Sequence, residues 1–104
     1  MANESLSKKF WEASQEWVEH EKAASLLEHL RSATLSEMMM KQGDIPVSRA
    51  EMAVKATEEW REYNKLMVES RSAANNAKVK MEYLRMRAME QQSKEATARA
   101  EMKL

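Results

Sequence analysis

Apolar residues recur through the first forty positions of the chain at intervals of mostly three, four and seven residues. Such spacing places them on one side of an amphipathic helix. The stripe contains Leu6, Phe10, Ala13, Trp17, Ala24, Leu27, Leu30, Thr34 and Met38. We therefore predict helix 1 over about 4–41, with Asn3 or Ser5 as the residue that caps its first N–H groups.

A seven-residue repeat follows and continues to the end of the chain. Its first register contains Ala53, Trp60, Met67, Ala74, Met81, Ala88, Glu95 and Met102. Its second register contains Ala56, Tyr63, Ser70, Ala77, Leu84, Gln91 and Ala98. This is the spacing of a coiled coil, and the many small residues suit close approach of another helix. The repeat predicts helix 2 over about 49–102.

The connection between the two helices is predicted over 42–48. The only glycine of the chain, Gly43, and its only proline, Pro46, lie three positions apart there. Glycine is favoured just past the end of a helix because it enters the left-handed backbone conformation without a Cβ clash. We therefore expect helix 1 to end just before Gly43.

The start of helix 2 carries a capping-box sequence, Ser48-x-x-Glu51. In that arrangement the Ser48 hydroxyl accepts a hydrogen bond from the Glu51 N–H, and the Glu51 carboxylate reaches back. Val47 and Met52 occupy the two positions of a hydrophobic staple. We expect these residues to fix the beginning of the helix.

Folding the chain at this hinge gives an all-α fold, a two-helix antiparallel hairpin resembling a coiled coil, with the second helix longer. Residue i then lies near residue 90 − i, which brings Leu27 beside Tyr63 and Leu6 beside Leu84. Helix 2 overhangs helix 1 over residues 88–104. The chain of 104 residues is expected to form one domain.

Two helices bury only one stripe each, which is little for a stable domain. A second set of apolar residues lies off the predicted seam, and we predict that it forms an interaction face. Its members are Trp11, Val18, Leu26, Leu35, Met39, Leu66 and Met86. We expect this face to join copies of the chain in a dimer or four-helix bundle, and to contact a partner protein.

Charge is balanced over the whole chain but unevenly distributed. Residues 1–48 carry five basic and eight acidic residues, whereas residues 78–104 carry seven basic and four acidic ones. Basic residues interleaved with an aromatic ring can bind a nucleic-acid backbone and stack on its bases. The set comprises Lys78, Lys80, Tyr83, Arg85, Arg87, Lys94 and Arg99. Nucleic acid is therefore the alternative partner.

No group of residues in the sequence carries a recognisable catalytic or metal-binding pattern. His20 and His29, the only histidines, are nine positions apart and lack the Glu-x-x-His pattern of metal-binding bundles. Glu58, Glu59 and Glu62 cluster near Trp60, and a solvated face explains them best. We expect no enzyme activity, no cofactor and no small-molecule substrate.

Cysteine is absent, and no stretch approaches the roughly 20 apolar residues of a membrane span. The first residues also lack the basic and apolar regions of a signal peptide. We therefore expect a cytoplasmic protein that makes no contact with a membrane.

A run of methionines, Met38–Met40, precedes the hinge, and Met52 follows it. Methionine is flexible and polarisable, so these residues can form an adaptable surface for a partner. They can equally close the end of the hairpin, with one or two side chains in solvent. We favour the second interpretation.

Three segments resemble a known group of proteins: Lys9–Gln15, Gly43–Glu51 and Met81–Ala88. They are similar to small all-helical accessory proteins encoded by phages and prophages of proteobacteria. The resemblance implies an accessory role in the host cytoplasm and identifies no activity. Combined with the surface features, it predicts a non-enzymatic protein that acts by protein–protein interaction and self-association. The alternative is a nucleic-acid-binding accessory of phage DNA replication or recombination that uses the basic C-terminal segment.

Overall fold

The structure, a computed structural model, describes residues 5–103. Over this range the chain forms four helices in the order α1 (Leu6–His29), α2 (Arg31–Met40), α3 (Val47–Lys55) and α4 (Glu58–Met102). Residues 5–103 contain no β-strand. The predicted all-α class is confirmed, whereas the predicted number of two helices is wrong.

The four helices pack in two pairs. The Tyr63 hydroxyl of α4 donates a hydrogen bond to the Leu27 carbonyl of α1. Farther along α4, the Lys80 ammonium lies 3.3 Å from the Glu16 carboxylate. Residue numbers therefore rise on α4 as they fall on α1, so this long pair is antiparallel. The short pair, α2 and α3, packs together at the end of the molecule near the connecting loop.

The boundary between α1 and α2 is a minor irregularity. Leu30 has φ −84° and ψ −1°, close to helical values. Its N–H donates to the Leu26 carbonyl at 3.0 Å, and its carbonyl accepts from the Thr34 N–H at 2.9 Å. Hydrogen bonding thus continues through the boundary. Helix α1 begins one residue after Ser5, whose hydroxyl accepts a hydrogen bond from the Lys8 N–H. The other predicted cap, residue 3, lies outside the described range.

The boundary between α3 and α4 is a true change in backbone conformation. Thr57 is extended, with ψ 149°. Its hydroxyl accepts from the Trp60 N–H at 3.2 Å and donates to the Val54 carbonyl at 2.6 Å. Two glutamates occupy the first turn that follows, where negative charge favours the helix dipole. The predicted continuous helix over 49–102 is wrong here because Thr57 ends one helix and caps the next.

The predicted capping box at Ser48 is also wrong. Helix α3 begins at Val47, and the residue before it, Pro46, provides no side-chain cap. Proline has its φ fixed near helical values and has no N–H to satisfy, so it starts a helix without a capping side chain. Val47 and Met52 are 72% and 73% exposed, which excludes the predicted staple.

Small side chains dominate the core. The buried residues are Ala13, Ala24, Ala50, Val54, Trp60, Ala74, Ala77 and Ala88. Burial agrees with the predicted heptad between residues 60 and 88, where both registers are buried or half-buried. Alanines along the seam let the two helices of the long pair approach closely.

The long pair follows the predicted matching at Leu27 and Tyr63 but departs from it toward the far end of α1. Leu6 was expected beside Leu84, but it lines a surface pocket with Ala88 and Gln91. Ala88 is 8% exposed, so the predicted overhang over 88–104 begins too early. The seven-residue repeat identifies the positions on the seam, but it does not fix which residues of α1 and α4 lie opposite each other along the whole seam.

The molecule is elongated, with principal extents of 83 × 27 × 15 Å. Its radius of gyration is 23.2 Å, against about 13 Å for a compact domain of this length. Most of the length comes from α4, whose 45 residues extend about 68 Å. None of the helices within residues 5–103 combines the length and apolar character of a membrane span.

Candidate functional site

The loop that joins α2 to α3 shapes one end of the molecule, which we call the tip. Gly43 has φ +92°, the left-handed conformation predicted for it. A Cβ at this glycine would have no atom within 4 Å, so backbone conformation, and not space, requires glycine there. The Gly43 N–H donates to the Met40 carbonyl, and its own carbonyl accepts from Ile45. These bonds turn the chain toward Pro46 and α3.

An open pocket of about 280 Å³ lies at the tip between α2, the loop and α3. Its lining consists of Ser36, Met39, Met40, Gly43, Ile45, Val47 and Ala50. No lining residue is charged. Ala50 is buried, while Met40 and Val47 are strongly exposed. The tip pocket therefore presents an apolar concave surface to solvent.

The methionines before and after the loop are divided between packing and exposure. Met38 and Met39 are half-buried, whereas Met40 and Met52 are exposed. Met38 faces a different cleft, and Met39 and Met40 line the tip pocket. The favoured interpretation, in which the run closes this end with one or two side chains in solvent, agrees with these positions.

A larger cleft of about 500 Å³ lies between α2 and the beginning of α4. Thr34 and Met38 form one wall, and the other carries three carboxylates, those of Glu59, Glu62 and Glu69. All three are exposed. Glu58 is exposed as well, so the predicted interpretation of this glutamate cluster as a solvated face agrees with the structure.

Trp60 forms the junction between the two helix pairs. Its ring stacks on that of Tyr63, with centroids 5.7 Å apart, and the Arg31 guanidinium lies 5.1 Å from its centroid. Arg31 also donates to the Asn64 side chain at 3.2 Å. The sequence placed Trp60 on the seam but gave no signal for Arg31, which comes from the start of α2.

Arg71 joins the long pair at its middle. Its guanidinium donates two hydrogen bonds to Glu28, at 2.6 and 2.8 Å, and a third to Glu21 at 2.6 Å. The hydrogen bonds from Arg71 lower the pKa of Glu28 and, in return, raise the pKa of Arg71. This fork has the geometry of a structural clamp, since all three side chains are used in holding α1 to α4.

The predicted basic set does not form one surface. Lys78 and Arg85 are seven residues apart on one side of α4, while Lys80, Arg87 and Lys94 repeat at sevens on another. Lys80 pairs with Glu16 of α1.

Two further members of this set have partners within α4. Arg87 pairs with Glu90 at 3.6 Å, and Arg99 donates to the Glu95 carbonyl. The carboxylates of Glu16 and Glu90 therefore neutralise part of the basic charge, whereas the Glu95 carbonyl leaves the charge of Arg99 in place.

The seven predicted interaction residues are also dispersed. Trp11, Val18 and Leu26 share the side of α1 that points away from α4, and all three are exposed. Leu35 and Met39 are half-buried on α2.

The two members on α4 lie apart from each other. Leu66 lines the acidic cleft, and Met86 lies on the outer side of the helix beside Met89. The single second apolar face expected from the sequence is thus divided among separate places.

The two histidines, His20 and His29, are exposed on α1. Within residues 5–103, no group of three potential ligands is close enough to hold a metal ion.

Comparisons with protein-family models, with curated proteins and with solved structures found no match. The resemblance to phage and prophage accessory proteins therefore stays a prediction.

Proposed function

We propose that this protein is a non-enzymatic helical module that binds another protein through the tip pocket. The observation that supports this function is an uncharged concave surface with strongly exposed apolar side chains, Met40 and Val47, at its rim. Exposed apolar surface is costly in water, and contiguous patches mark sites of association. The proposal concerns binding only, and the predicted resemblance to phage and prophage accessory proteins adds no constraint on the partner.

The dimensions of the pocket favour an apolar anchor of a partner protein over a small substrate. Small-molecule sites usually enclose about 300–1,000 Å³ and bury most of the ligand. The tip pocket is about 280 Å³ and open. It lacks the converging polar groups that would orient a substrate for chemistry, whereas a side chain such as Leu or Phe needs only apolar contact. Met39 and Met40 can adjust their shape to such an anchor.

A photo-crosslinking residue at Val47, in cells that carry the gene, tests this function. We expect a covalent complex with one heterologous protein. The same residue at Val18, an exposed valine on α1, is the control site and should give no such complex. Absence of a heterologous product at Val47, or equal products at both sites, would refute the proposal.

A matched pair of methionine variants tests the pocket itself. Met40→Glu places a charge on the rim, and Met52→Glu places the same charge on a similarly exposed residue outside the pocket. We expect the first variant to abolish the cross-link from Val47 and the second to preserve it. Far-UV circular dichroism should be unchanged for both, because neither side chain is part of the core.

The nucleic-acid alternative stays a prediction. Lys80, Tyr83 and Arg87 lie one turn apart on the same side of α4, and Tyr83 is exposed. A labelled single-stranded oligonucleotide should then bind at low salt and dissociate steeply as salt increases. Binding that survives Arg87→Gln and Lys80→Gln together would exclude this surface, and no binding at low salt would exclude the alternative altogether.

A further inference from the structure

Within residues 5–103, one side of α4 is exposed and has no neighbouring helix. We call it the outer stripe, and its positions alternate by four and three residues along the helix. They are Val68, Ser72, Asn75, Val79, Glu82, Met86, Met89 and Ser93. All are exposed, and Tyr83 lies exposed beside Glu82. Only Glu82 carries a charge.

The outer stripe lies opposite the alanine seam that contacts α1. Helix α4 is continuous, and in a seven-residue repeat the stripe positions and the seam positions fall on opposite sides of the helix. The stripe extends from Val68 to Ser93, about 38 Å. An alternation of four and three residues is what a second helix needs in order to pack lengthwise.

We propose that the outer stripe binds the same stripe of a second copy, with the two α4 helices parallel. This interface is independent of the tip pocket, which is built from other helices.

The area that the chain leaves exposed supports a second copy as the occupant. Its accessible surface is 8295 Å², whereas a compact protein of 12.1 kDa exposes about 6,000 Å². The excess is about 2,300 Å² for each chain. Stable interfaces cover about 800 Å² of each partner, and obligate homodimers cover more. The chain therefore exposes more surplus surface than a stable dimer interface needs to cover.

The charges that border the outer stripe support the parallel arrangement. Lys78 and Arg85 lie along one border, and Glu69 and Glu90 lie along the other. In a parallel pair, residues five positions apart on the two borders lie opposite each other, so Lys78 faces Tyr83 and Arg85 faces an acidic residue. Arg85 then faces Glu90 of the second copy, a carboxylate that also lies 3.6 Å from Arg87 of its own chain, and the two-fold axis forms this contact twice. The zero net charge of the chain adds no overall repulsion.

Asn75 favours one register of the two α4 helices, and Glu82 weakens the dimer. In a parallel pair, equivalent stripe residues meet their own copies across the axis. Two Asn75 amides can hydrogen-bond to each other, and a single polar pair of this kind specifies register. Two Glu82 carboxylates repel, so the wild-type dimer is weaker than its apolar contact alone would make it.

Light scattering across a range of concentrations tests the interface. We expect a wild-type mass near twice 12.1 kDa. Val79→Glu should raise the dimer Kd about 100-fold, because it replaces an apolar contact at the axis by a second pair of like charges beside Glu82. Val18→Glu makes the same change at an exposed residue of α1 and should leave Kd unchanged. A monomeric wild type, or a dimer lost through Val18→Glu and kept in Val79→Glu, would overturn the proposal.

A variant that should strengthen the dimer controls for loss of dimer through unfolding. Glu82→Leu removes the central repulsion and extends the apolar stripe, so we expect the dimer Kd to fall about 10-fold or more. An unchanged or higher Kd would contradict the placement of Glu82 at the dimer axis.

Cysteine cross-linking tests the parallel arrangement, since the chain has no cysteine of its own. Ser93→Cys should form a covalent dimer quickly on mild oxidation, because equivalent residues face each other within disulfide distance. Ser25→Cys, at an exposed serine of α1, should not. A wild-type dimer in which Ser93→Cys fails to cross-link would refute the parallel stripe, and a product only with a heterologous protein would assign the stripe to that partner instead.

Discussion

The long pair and the short pair of helices are stabilised in different ways. The long pair, α1 with α4, closes on alanines and carries ionic contacts across its seam, from Arg71 to Glu21 and Glu28 and from Lys80 to Glu16. The short pair, α2 with α3, buries Val54 completely. Among residues 5–103, no salt bridge links α2 to α3. The long pair thus depends on close fit and charge, and the short pair on a few apolar side chains.

This difference shows what a seam of small residues can and cannot do. Alanine lets two helices approach along many turns, but each buried alanine removes little apolar area from water. The long pair therefore leaves large side chains on its outer sides. Trp60 is the exception, since it is a large side chain that is buried where the two pairs meet.

Removing the Trp60 side chain should cause the largest loss of stability, because both helix pairs lose a contact. Trp60→Ala eliminates the stacking on Tyr63 and the contact with Arg31, and leaves a cavity. We expect a loss of about 3–5 kcal/mol in the free energy of unfolding, measured by urea denaturation. Trp11→Ala, an exposed tryptophan on α1, should change it by less than about 0.5 kcal/mol. Equal effects would mean that the junction does not depend on Trp60.

Enlarging a buried alanine should test how closely α1 and α4 pack in the long pair. Ala24 is fully buried in the seam, and Ala23 beside it is exposed. Ala24→Leu should force the helices apart and cost about 1–3 kcal/mol. Ala23→Leu is the matched control, with a change below about 0.5 kcal/mol. If urea unfolding tolerates Ala24→Leu as well as Ala23→Leu, the seam is not closely packed.

The cap between α3 and α4 gives a smaller effect. Thr57→Ala removes the hydroxyl that accepts from the Trp60 N–H, and we expect a loss of about 1 kcal/mol in thermal or urea unfolding. Thr57→Ser should restore most of it. Ser48→Ala, at the residue that the sequence favoured as a cap, should change stability by less than about 0.5 kcal/mol. A larger loss of stability for Ser48→Ala than for Thr57→Ala would support the predicted capping box at Ser48.

Acid should weaken the long pair before the short one, and this is the smallest of the four effects. Arg71 lowers the pKa of Glu28, so the native state binds a proton there less readily than the unfolded chain. The stabilisation is complete above the unfolded value of 4.5 and is lost as pH falls through the lower native pKa. We expect Glu28→Gln to flatten the decrease of Tm with pH below this value.

Glu51→Gln is the control for that measurement. The pKa of Glu51 is also lowered, by Lys55, but this pair lies within α3 alone. The variant should leave the long pair unchanged, which nuclear magnetic resonance of α1 amides can follow. A comparable loss of α1 amide protection in both variants would contradict a specific role of the Arg71 fork.

The fold was predictable where periodicity alone decides it. The helical class, the inward heptad from residue 60 to 88 and the left-handed Gly43 follow from local pattern. The break at Thr57 carried a usable signal, a threonine followed by two glutamates. The heptad outweighed it because Ala53 and Ala56 continue the register through the break.

The surfaces were less predictable than the fold. Which apolar residues stay exposed depends on how α1 and α4 are offset, and a seven-residue repeat does not define that offset. Consequently the sequence grouped Trp11, Leu66 and Met86 on one face, although they lie in different places. The tip pocket needs the three-dimensional path of the loop, because Met40 and Val47 belong to different helices.

The antiparallel long pair also fixes the order in which the chain can fold. Its contacts join residues 36 apart near the junction, at Tyr63 and Leu27, and 64 apart at Lys80 and Glu16. Closing so long a loop directly is entropically unfavourable, but once the tip has formed each further contact closes only a short additional loop. Folding should therefore proceed like a zipper from the tip, with φ-values high near Val54 and low near Ala88.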